Sequence, residues 1–513
     1  MPVTGLPIKE SIHLPDLLQR GLAAHPEEAA LVSREASWTW RELDETSDRL
    51  AANLLGLGLA AGDRVASLMP NRAVLVVHYI ACIKAGLVAT PLNYRYMAPE
   101  IDHALAVSGA SVLVHHAERD RDVAQSSLAQ ALPLGVVRYR VRDGKGPSLE
   151  ELMAREAPAT DLGVGKPADP AFIFFTSGST GRPKGVTHSI ETFGALIASS
   201  IDILSFTPQD VVLPGSSLSH VGALGLSLTG IAAGSRVLIA RTFDGDELLP
   251  LMREERPTFL CMLPAALFGL VRDHGATRDD FRSFRLCVAG GDKVSGELER
   301  EFTELAGFPI EEGYGMTEIG FATLNPVGGV NKIGSVGVVS AGFAASIRDE
   351  NGAELPTGAE GRLWIKAPSN MVGYWNNPTA TAETIVAGWL DTGDVMKVDE
   401  DGYLWFCGRK KQIIIHDGSN ISPQEVEEVL LEHPAVAGAG VVGIHDLVHG
   451  EIVRAYLTLK SDAERPKSQE LIRFARERIG YKAPEEIVVL SEIPLNATGK
   501  VDRVKLKAMA EKR

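Results

Sequence analysis

The chain has 513 residues, 45% hydrophobic and 23% charged, with a formal net charge of −15. This length exceeds what one hydrophobic core supports, so we expect at least two domains with the composition of an ordinary soluble globular protein. The acidic charge disfavours nonspecific binding to nucleic acid or membranes.

The first 160 residues alternate helical and strand patterns. Thr39 and Glu42 have the spacing of a capping box that opens a helix, and Arg64–Met69 is predicted as a strand. The same alternation returns from about 170 to 330. This order predicts an α/β fold built from two largely parallel sheets covered by helices. The predicted strands of the second stretch are Phe172–Phe175, Val211–Leu213 and Arg236–Ala240.

The most apolar long stretch, residues 222–240, contains further glycines and Arg236. It predicts a helix followed by a buried strand rather than a membrane span. The N-terminus shows no apolar signal region, so we expect a cytoplasmic protein without stable membrane insertion. The scattered cysteines, without a CxxC pair or metal-ligand spacing, are predicted to be reduced core residues. They are Cys82, Cys261, Cys287 and Cys407.

Short strands punctuated by Gly and Pro dominate from about 333 to 408, including Gly361–Lys366 and Tyr403–Arg409. They predict a small antiparallel sheet or distorted β-barrel. After Arg409, a second capping box is predicted from Ser422 to Glu425, and strands alternate with helices. We therefore expect a large N-terminal domain over 1–408 and a small mobile α+β domain over 409–513. The predicted linker is Gly408–Gln412.

Two segments imitate binding motifs. Gly438–Gly443 matches GxGxxG but lies within a strand-like run that follows a helix, whereas a dinucleotide site needs a strand before it and a helix after it. Asp399–Gly402 resembles part of a calcium loop without the downstream ligands. We predict a strand for the first and a hairpin turn for the second.

The segment FFTSGSTGRPKGVTHS, residues 174–189, carries the strongest chemical signal. A predicted buried strand leads into a loop whose glycines let successive N–H groups converge on an anion, with hydroxyls as further donors and Lys184 as a point charge. The string does not match a Walker A loop. Turn statistics alone leave a plain surface turn as the alternative. The loop residues are Thr176, Ser177, Gly178, Ser179, Thr180, Gly181 and Lys184.

The whole string resembles the signature of the adenylate-forming (AMP-binding) superfamily, which contains acyl-CoA synthetases, peptide-synthetase adenylation domains and firefly-type luciferases. Four more segments resemble its motifs in the same order, over nearly the whole chain: Tyr314–Glu318, Asp391–Asp394, Gly408–Lys411 and Pro494–Lys500. The resemblance, on the acyl-CoA synthetase branch, implies ATP-dependent activation of a carboxylic acid to acyl-AMP, release of pyrophosphate and transfer to coenzyme A.

Joining a carboxylate to the α-phosphate brings two anions together, so the site needs cations and donors placed in advance. The resemblance implies that Glu318 holds Mg²⁺, Tyr314 stacks on adenine, Asp394 binds the ribose with support from Arg409, and Lys500 neutralises the meeting anions. Lys411 takes the hinge position. The remaining implied nucleotide residues are Ala289, Gly290, Gly291, Gly313, Gly315, Met316 and Thr317, and the implied catalytic set is Lys500, Thr176, Lys184, Glu318 and His220.

Each of these residues has a plain structural alternative. Tyr314 alone is compatible with a core residue, and Asp394 with a turn cap. Lys500, near the C-terminus in a Gly-flanked loop, is by base rates a solvated surface residue. His220 alone is compatible with an ordinary half-buried histidine.

By resemblance, His220 borders the carboxylate of the acid. Amino-acid-activating relatives place an Asp shortly afterwards, and this chain does not, which favours an acid without an amine. Apolar Leu224 and Phe321 suit a fatty or an aryl acid, and Asp292 is either a polar contact of the acid or a solvated loop residue. The residues predicted around the acid are His220, Val221, Gly222, Gly225 and Ile319.

Coenzyme A contacts are implied for Arg95, Gly418 and Lys482, whereas Asp417 and Glu485 depart from the pattern of many relatives. An enzyme that loads a carrier protein therefore stays open as an alternative. A nucleotide-binding regulator on an inactive scaffold is the alternative from another class. A homodimer is the predicted assembly.

Overall fold

The structure is a computed structural model that describes residues 2–140, 147–156, 162–163, 165–176, 183–291, 294–409, 412–416, 419–446, 450–461, 465–496 and 499–511.

The strands, in chain order, are β1 (Val3–Thr4), β2 (Ala29–Val32), β3 (Ser37–Thr39), β4 (Arg64–Leu68), β5 (Val88–Pro91), β6 (Val112–His116), β7 (Val136–Tyr139), β8 (Pro170–Thr176), β9 (Lys184–Ser189), β10 (Val211–Gly215), β11 (Arg236–Leu238), β12 (Phe259–Met262), β13 (Leu286–Ala289), β14 (Glu311–Met316), β15 (Gly320–Leu324), β16 (Val338–Val339), β17 (Ala344–Arg348), β18 (Gly361–Lys366), β19 (Gly373–Tyr374), β20 (Ile385–Val386), β21 (Trp389–Val398), β22 (Leu404–Arg409), β23 (Ile414–His416), β24 (Ser419–Ile421), β25 (Val436–Asp446), β26 (Gly450–Leu459) and β27 (Glu486–Val489).

The α-helices, in chain order, are α1 (Gln19–Ala24), α2 (Trp40–Gly56), α3 (Ala73–Lys84), α4 (Ala98–Ser108), α5 (Asp120–Gln125), α6 (Ser127–Gln130), α7 (Leu149–Ala154), α8 (Ile190–Leu204), α9 (Val221–Ala233), α10 (Gly245–Glu255), α11 (Pro264–Arg272), α12 (Gly296–Ala306), α13 (Pro378–Thr384), α14 (Pro423–Leu431), α15 (Ser468–Ile479) and α16 (Arg503–Glu511).

Two large sheets form the N-terminal part of the described chain. The first runs in the order β19-β9-β8-β5-β4-β6-β7, and the second in the order β16-β15-β14-β13-β12-β10-β11-β2-β3. The central strands are parallel, as in β4–β5, β4–β6, β10–β12 and β12–β13, and antiparallel pairs lie towards the edges, as in β8–β9 and β14–β15. The predicted α/β architecture with parallel sheets is confirmed.

A shared apolar core joins the two sheets. Buried residues of α2, α3, α8 and α9 belong to one cluster with residues of β4, β8, β10 and β12. Helix α3 is buried all round between Ala73 and Ile83, as expected for an apolar helix inside a large protein. The carboxyl ends of both parallel sheets are the usual position of a ligand site in this fold class.

The two predicted capping boxes have different outcomes. At α2 the box is confirmed, because Glu42 N donates to Thr39 Oγ1 (3.1 Å) and Thr39 N donates to Glu42 Oε2 (2.8 Å). At α14 the box is wrong. Ser422 Oγ donates to Gln424 Oε1 (3.2 Å), while Glu425 pairs with Lys482 Nζ at 2.7 Å. Lys482 therefore forms an ion pair with the Glu425 carboxylate, which the predicted capping box would have placed on the backbone N–H of Ser422.

A third, antiparallel sheet consists of β1 and of β17, β18, β20, β21 and β22, in the order β1-β17-β18-β21-β20 with β22 paired to β21. This sheet stays open between its edge strands, so the predicted antiparallel sheet is confirmed and the closed-barrel alternative is wrong. Asp399–Gly402 is the turn between β21 and β22, where Asp399 N donates to Tyr403 O at 3.0 Å and Gly402 has a φ of 83°. The predicted hairpin is confirmed.

The last part of the chain is a separate sheet, β24-β23-β26-β25 with β27 on β26, and α14 and α16 pack on β25. Gly438–Gly443 lies inside β25, as predicted, so the glycines open no helix. The stretch 222–240 forms most of α9 and then β11, also as predicted. Within the described ranges, no helix has both the length and the apolar character that crossing a bilayer requires. The domain boundary at 408 stays a prediction.

Candidate active site

Strands β8 and β9 frame the Gly/Ser/Thr loop. Thr176 ends β8 and pairs in register with Lys184, the first residue of β9. Lys184 Nζ lies 4.4 Å from the centre of the Tyr374 ring, a cation–π distance. Five predicted loop residues lie outside the described part of the chain: Ser177, Gly178, Ser179, Thr180 and Gly181.

Glu318 lies in the turn between β14 and β15 and is only 6% exposed. Its carboxylate oxygen Oε1 accepts a hydrogen bond from the Tyr374 hydroxyl at 3.0 Å, and its backbone O accepts one from Met371 N at 2.7 Å. Burial raises the pKa of Glu318, while the hydrogen bond from Tyr374 and the charges of Arg409 and Lys184 oppose that shift. A buried carboxylate of this kind gains from a cation.

Tyr314 and Arg409 each donate a hydrogen bond to Asp394, and we call these three residues the triangle. Asp394 is 0% exposed; it accepts from the Tyr314 hydroxyl at 2.6 Å and from Arg409 Nε at 2.7 Å. Asp394 and Arg409 are partners in the β21–β22 register, so the antiparallel sheet itself places the pair. Asp394 raises the pKa of Arg409, and burial raises the pKa of Tyr314, which therefore stays a neutral donor.

His188 and Tyr374 were missed by the sequence analysis. His188, fully buried in β9, donates from Nε2 to Thr317 O at 2.8 Å and fixes the turn before Glu318. Burial lowers the pKa of His188 to about 4, so the ring is neutral. The only signal for His188 in the sequence was its place in the string VTHS, at the end of the signature segment, and that signal is weak. Tyr374 gave none, because only the long-range pairing of β19 with β9 brings it to Glu318.

Lys500 and His220 lie within electrostatic reach of each other, although they belong to different parts of the chain. His220 is the residue before α9 and is half-buried. Burial lowers the pKa of its imidazole to about 4, and the Lys500 ammonium lowers it further. Lys500 is itself half-buried. Its backbone N donates to Asn496 Oδ1 at 3.1 Å, and its backbone O accepts from Asn496 N at 2.8 Å.

The predicted acid-site residues lie in two places. Val221, Gly222 and Gly225 lie on the first turns of α9. A Cβ on Gly222 would meet nothing within 4 Å, while one on Gly225 would lie 3.4 Å from Leu196 Cδ2. Ile319 is fully buried in the core beneath the antiparallel sheet.

The glycines of the predicted adenine site keep the backbones of β13 and β14 close together. A Cβ on Gly290 would lie 3.3 Å from Gly313 O, and one on Gly313 would lie 2.6 Å from Phe321 Cζ. A Cβ on Gly315 would come closer still to the backbone oxygen of Gly320. Ala289 is the last residue of β13 and Met316 the last residue of β14, so both flank this narrow part of the site.

The predicted coenzyme A residues lie on different parts of the chain. Arg95 is exposed in the turn between β5 and α4, where its N donates to Asn93 Oδ1 at 2.9 Å. Lys482 pairs with Glu425. Glu485 accepts from Val453 N at 2.6 Å, so its carboxylate is used within the small sheet. Four other predicted positions lie outside the described residues: Asp292, Lys411, Asp417 and Gly418.

The chain is similar to known proteins over most of its length. A family model described as AMP-binding enzyme matches residues 18–375, and one described as AMP-binding enzyme C-terminal domain matches residues 425–500. A feruloyl-CoA synthase from Amycolatopsis sp is 35% identical over 498 residues, which cover 94% of this chain and 97% of that protein. The long-chain-fatty-acid–CoA ligase FadD13 of Mycobacterium tuberculosis is 31% identical over 479 residues, 93% of either chain. The crystal structure of ATP-bound MatB from Rhodopseudomonas palustris has a TM-score of 0.89 and 28% identity, covering 97% of this chain and 99% of that one.

Proposed function

The chain belongs to the AMP-binding enzyme family, and from that premise we propose that it is an AMP-forming acid–thiol ligase. It activates a fatty or aryl acid with ATP, releases pyrophosphate and passes the acyl group to coenzyme A. The observation that carries the proposal is that the Lys500 ammonium lies within electrostatic reach of His220, because the reaction needs a cation where two anions meet.

The nucleotide end of the site is the triangle of Tyr314, Asp394 and Arg409. An ionised carboxylate has about four acceptor positions, and the two protein donors use one on each oxygen of Asp394. The remaining positions accept hydrogen bonds from the ribose hydroxyls. Arg409, whose Nε donates to Asp394 Oδ1 at 2.7 Å, holds the carboxylate in its orientation for this task.

The phosphate end lies between Thr176, Lys184 and Glu318. Lys184 offers its ammonium, held over the Tyr374 ring, to the phosphate oxygens. Glu318 fits a Mg²⁺ ligand because it is a buried carboxylate of raised pKa whose side chain accepts from Tyr374. Among the residues described, no three or more His, Cys, Asp or Glu side chains form a cluster that would hold a metal. Mg²⁺ is often held by one or two carboxylates plus substrate phosphates, where it neutralises phosphate charge.

The chemical step joins the acid to the α-phosphorus. A carboxylate oxygen of the acid forms the new P–O bond, and the bond to pyrophosphate breaks. Lys500 offsets the negative charge that builds on the α-phosphate. Burial lowers the pKa of His220 to about 4, so its imidazole is neutral. It lies beside the acid and does not form an ion pair with the acid's carboxylate. In the second step the thiolate of coenzyme A attacks the acyl carbon, and AMP leaves.

A pyrophosphate-release screen over short, fatty and aryl acids tests this function. We expect acid-dependent release of pyrophosphate, and a thioester when coenzyme A is added. Transfer only to a phosphopantetheinylated carrier protein would replace coenzyme A as the acceptor. Absence of release with every acid would contradict the ligase assignment. The cytoplasmic location and the homodimer stay predictions.

A further inference from the structure

Five strands of the two large sheets lead into one cluster of charged side chains. The strands are β4, β6 and β7 of the first sheet and β2 and β11 of the second, and they pair in parallel as β4–β6, β6–β7 and β2–β11. Each is followed within four residues by a member of the cluster. None of the residues predicted for the nucleotide, the acid or coenzyme A belongs to it. We call it the arginine cluster, and its members are Glu35, Arg72, His116, Glu118, Arg140 and Arg241.

Arg72 is the buried cation of the cluster. It precedes α3 as its N-cap residue and is 4% exposed. Its Nη1 donates to Glu35 Oε1, which satisfies one edge of the guanidinium. On the other edge, Nε has no hydrogen-bond partner among the described residues, and Nη2 lies 3.9 Å from Glu118 Oε1, beyond hydrogen-bonding distance. Glu118 is held away from Arg72, because its oxygens accept from the Tyr94 hydroxyl at 2.7 Å and from Arg241 Nη2 at 2.6 Å.

Other arginines of this chain show what the Nε–Nη2 edge binds. Nε and Nη2 of Arg253 donate to the two carboxylate oxygens of Asp280 at 2.6 and 3.1 Å. Arg285 holds Asp210 in the same way, at 2.7 and 3.0 Å. In both pairs the planar fork of the guanidinium matches two oxygens of one oxyanion. The same edge of Arg72 therefore suits an oxyanion that the described part of the chain does not supply.

His116 adds a third donor beside this edge. Its Nδ1 accepts from Glu118 N at 3.1 Å, and burial is the main reason that its pKa falls to about 4, so the ring is neutral. A neutral imidazole whose Nδ1 accepts carries its hydrogen on Nε2. That Nε2 lies 3.4 Å from Arg72 Nη2, so two N–H donors are neighbours. One oxyanion that accepts from both nitrogens would satisfy them together.

The charges of the cluster also favour an anion. Three guanidinium groups face two carboxylates, since Arg140 Nη2 lies 2.9 Å from Glu35 Oε2 and Arg241 pairs with Glu118. Burial lowers the pKa of Arg72, and the charges of Arg241 and Arg140 lower it further. A bound anion would offset both the burial of this cation and the repulsion from its neighbours. Arg140 and Arg241 are exposed, so the cluster is open to solvent on their side.

We propose that the arginine cluster binds a phosphate group, at a site additional to that of the proposed ligase reaction. Arg72 takes two phosphate oxygens on its Nε–Nη2 edge, and His116 donates from Nε2 to a third. A carboxylate has no third oxygen to offer, so phosphate is the better match. Arg140 and Arg241 supply positive charge at the entrance. The group is either free phosphate or a phosphate monoester at the end of a larger molecule.

The test is a calorimetric titration of the full-length enzyme with potassium phosphate. Mg²⁺ and α,β-methylene-ATP, which is not cleaved between the α- and β-phosphates, first fill the nucleotide site. The wild type should bind one phosphate per chain. Arg72→Lys keeps the charge and loses the fork, so the affinity should fall at least tenfold, the effect of losing about one charge-assisted hydrogen bond. Arg241→Gln, at an exposed position, should lower the affinity about threefold and decides the case if Arg72→Lys does not fold.

Arg253→Lys is the matched control. It removes the same fork at a place where Asp280 already occupies it, so the affinity for phosphate should equal that of the wild type. Titration with potassium acetate tests the chemical class of the ligand, and acetate should bind more weakly than phosphate.

Coenzyme A and 3′-dephospho-coenzyme A distinguish the two sources of the phosphate group. If the cluster takes a monoester, Arg72→Lys should weaken the binding of coenzyme A and leave that of the dephospho form unchanged. If it takes free phosphate, the variant should bind both molecules as the wild type does.

Equal affinities of the wild type and the Arg72 variant for both phosphate and coenzyme A would overturn the proposal. Equal affinities of the wild type for acetate and phosphate would also overturn it. Neither result bears on the ligase function, which is measured separately by acid-dependent release of pyrophosphate.

Discussion

The ammonium of Lys500 and the imidazole of His220 lie within electrostatic reach of each other, although 280 positions separate them in the sequence. Burial is the larger reason that the pKa of His220 falls to about 4, and Lys500 adds to it. The C-terminal part of the chain thus brings a cation within electrostatic reach of the residue that precedes α9. We expect this proximity of Lys500 and His220 to serve the first half-reaction.

Lys500→Ala should lose acyl-adenylate formation but keep thioester formation. Removing one preorganised charge costs about 3 kcal/mol of transition-state stabilisation, roughly a hundredfold in rate. Single-turnover reactions started from acid plus ATP, and separately from synthetic acyl-adenylate plus coenzyme A, measure the two steps. Lys505→Ala, an exposed lysine of α16, is the control. Equal loss of both steps would contradict a role confined to adenylation.

Tyr314→Phe should weaken nucleotide binding without abolishing turnover. The change removes the hydroxyl that donates to Asp394 at 2.6 Å and leaves that oxygen of a buried carboxylate short of a partner. A hydrogen bond to a charged group contributes about 1.5–3 kcal/mol, which corresponds to a rise in KM for ATP of roughly ten to a hundredfold. Tyr403→Phe, whose hydroxyl donates to Val330 O, is the matched control. An unchanged KM in the Tyr314 variant would show that the triangle does not serve the nucleotide.

Glu318→Gln should raise the Mg²⁺ concentration that half-maximal activity requires, at least tenfold. The amide keeps the shape of the side chain and can still accept from Tyr374, but it lacks the charge that attracts the cation. Titration of pyrophosphate release with Mg²⁺ at fixed ATP measures the shift. Glu304→Gln, on the exposed side of α12, is the control. Superimposable titration curves would remove Glu318 from the metal site.

Glu311→Gln should stabilise the fold, and increasingly so as the pH rises. Burial and the nearby Glu299 raise the pKa of Glu311 from its ordinary value of 4.5 to about 8. The folded state therefore keeps a proton that the unfolded state releases, so stability is lost between about pH 4.5 and pH 8. Thermal unfolding of both proteins at pH 5 and pH 8 measures the effect. A difference in Tm that is the same at both pH values would contradict the assignment.

Local sequence patterns predicted the elements whose contacts are local. Thr39 and Glu42 cap α2 with groups three residues apart, and the helix and strand of 222–240 follow from apolar periodicity. Ser422 failed as a capping box because Lys482, 57 positions from Glu425, takes the carboxylate. A rule based on local residue spacing cannot predict an ion pair between residues so far apart in the sequence.

The site divides in the same way. The motif residues Tyr314, Asp394 and Arg409 were named from the sequence, but their hydrogen-bonded triangle depends on the β21–β22 register. Tyr374 reaches Glu318 only through pairing of β19 with β9. The four cysteines were expected to be core residues, but only Cys82 and Cys287 are buried, whereas Cys261 and Cys407 are partly buried.

Arg409 is the last residue of β22, and the small sheet begins five positions later at Ile414. The same guanidinium donates to Asp394, so the end of the chain's large part is tied directly to the predicted ribose site. Thermodynamic linkage makes this connection reciprocal. If a movement of the strand end changes the affinity for the nucleotide by some factor, nucleotide binding changes the equilibrium of that movement by the same factor. The position of Arg409 at the end of β22 is therefore expected to respond to nucleotide binding.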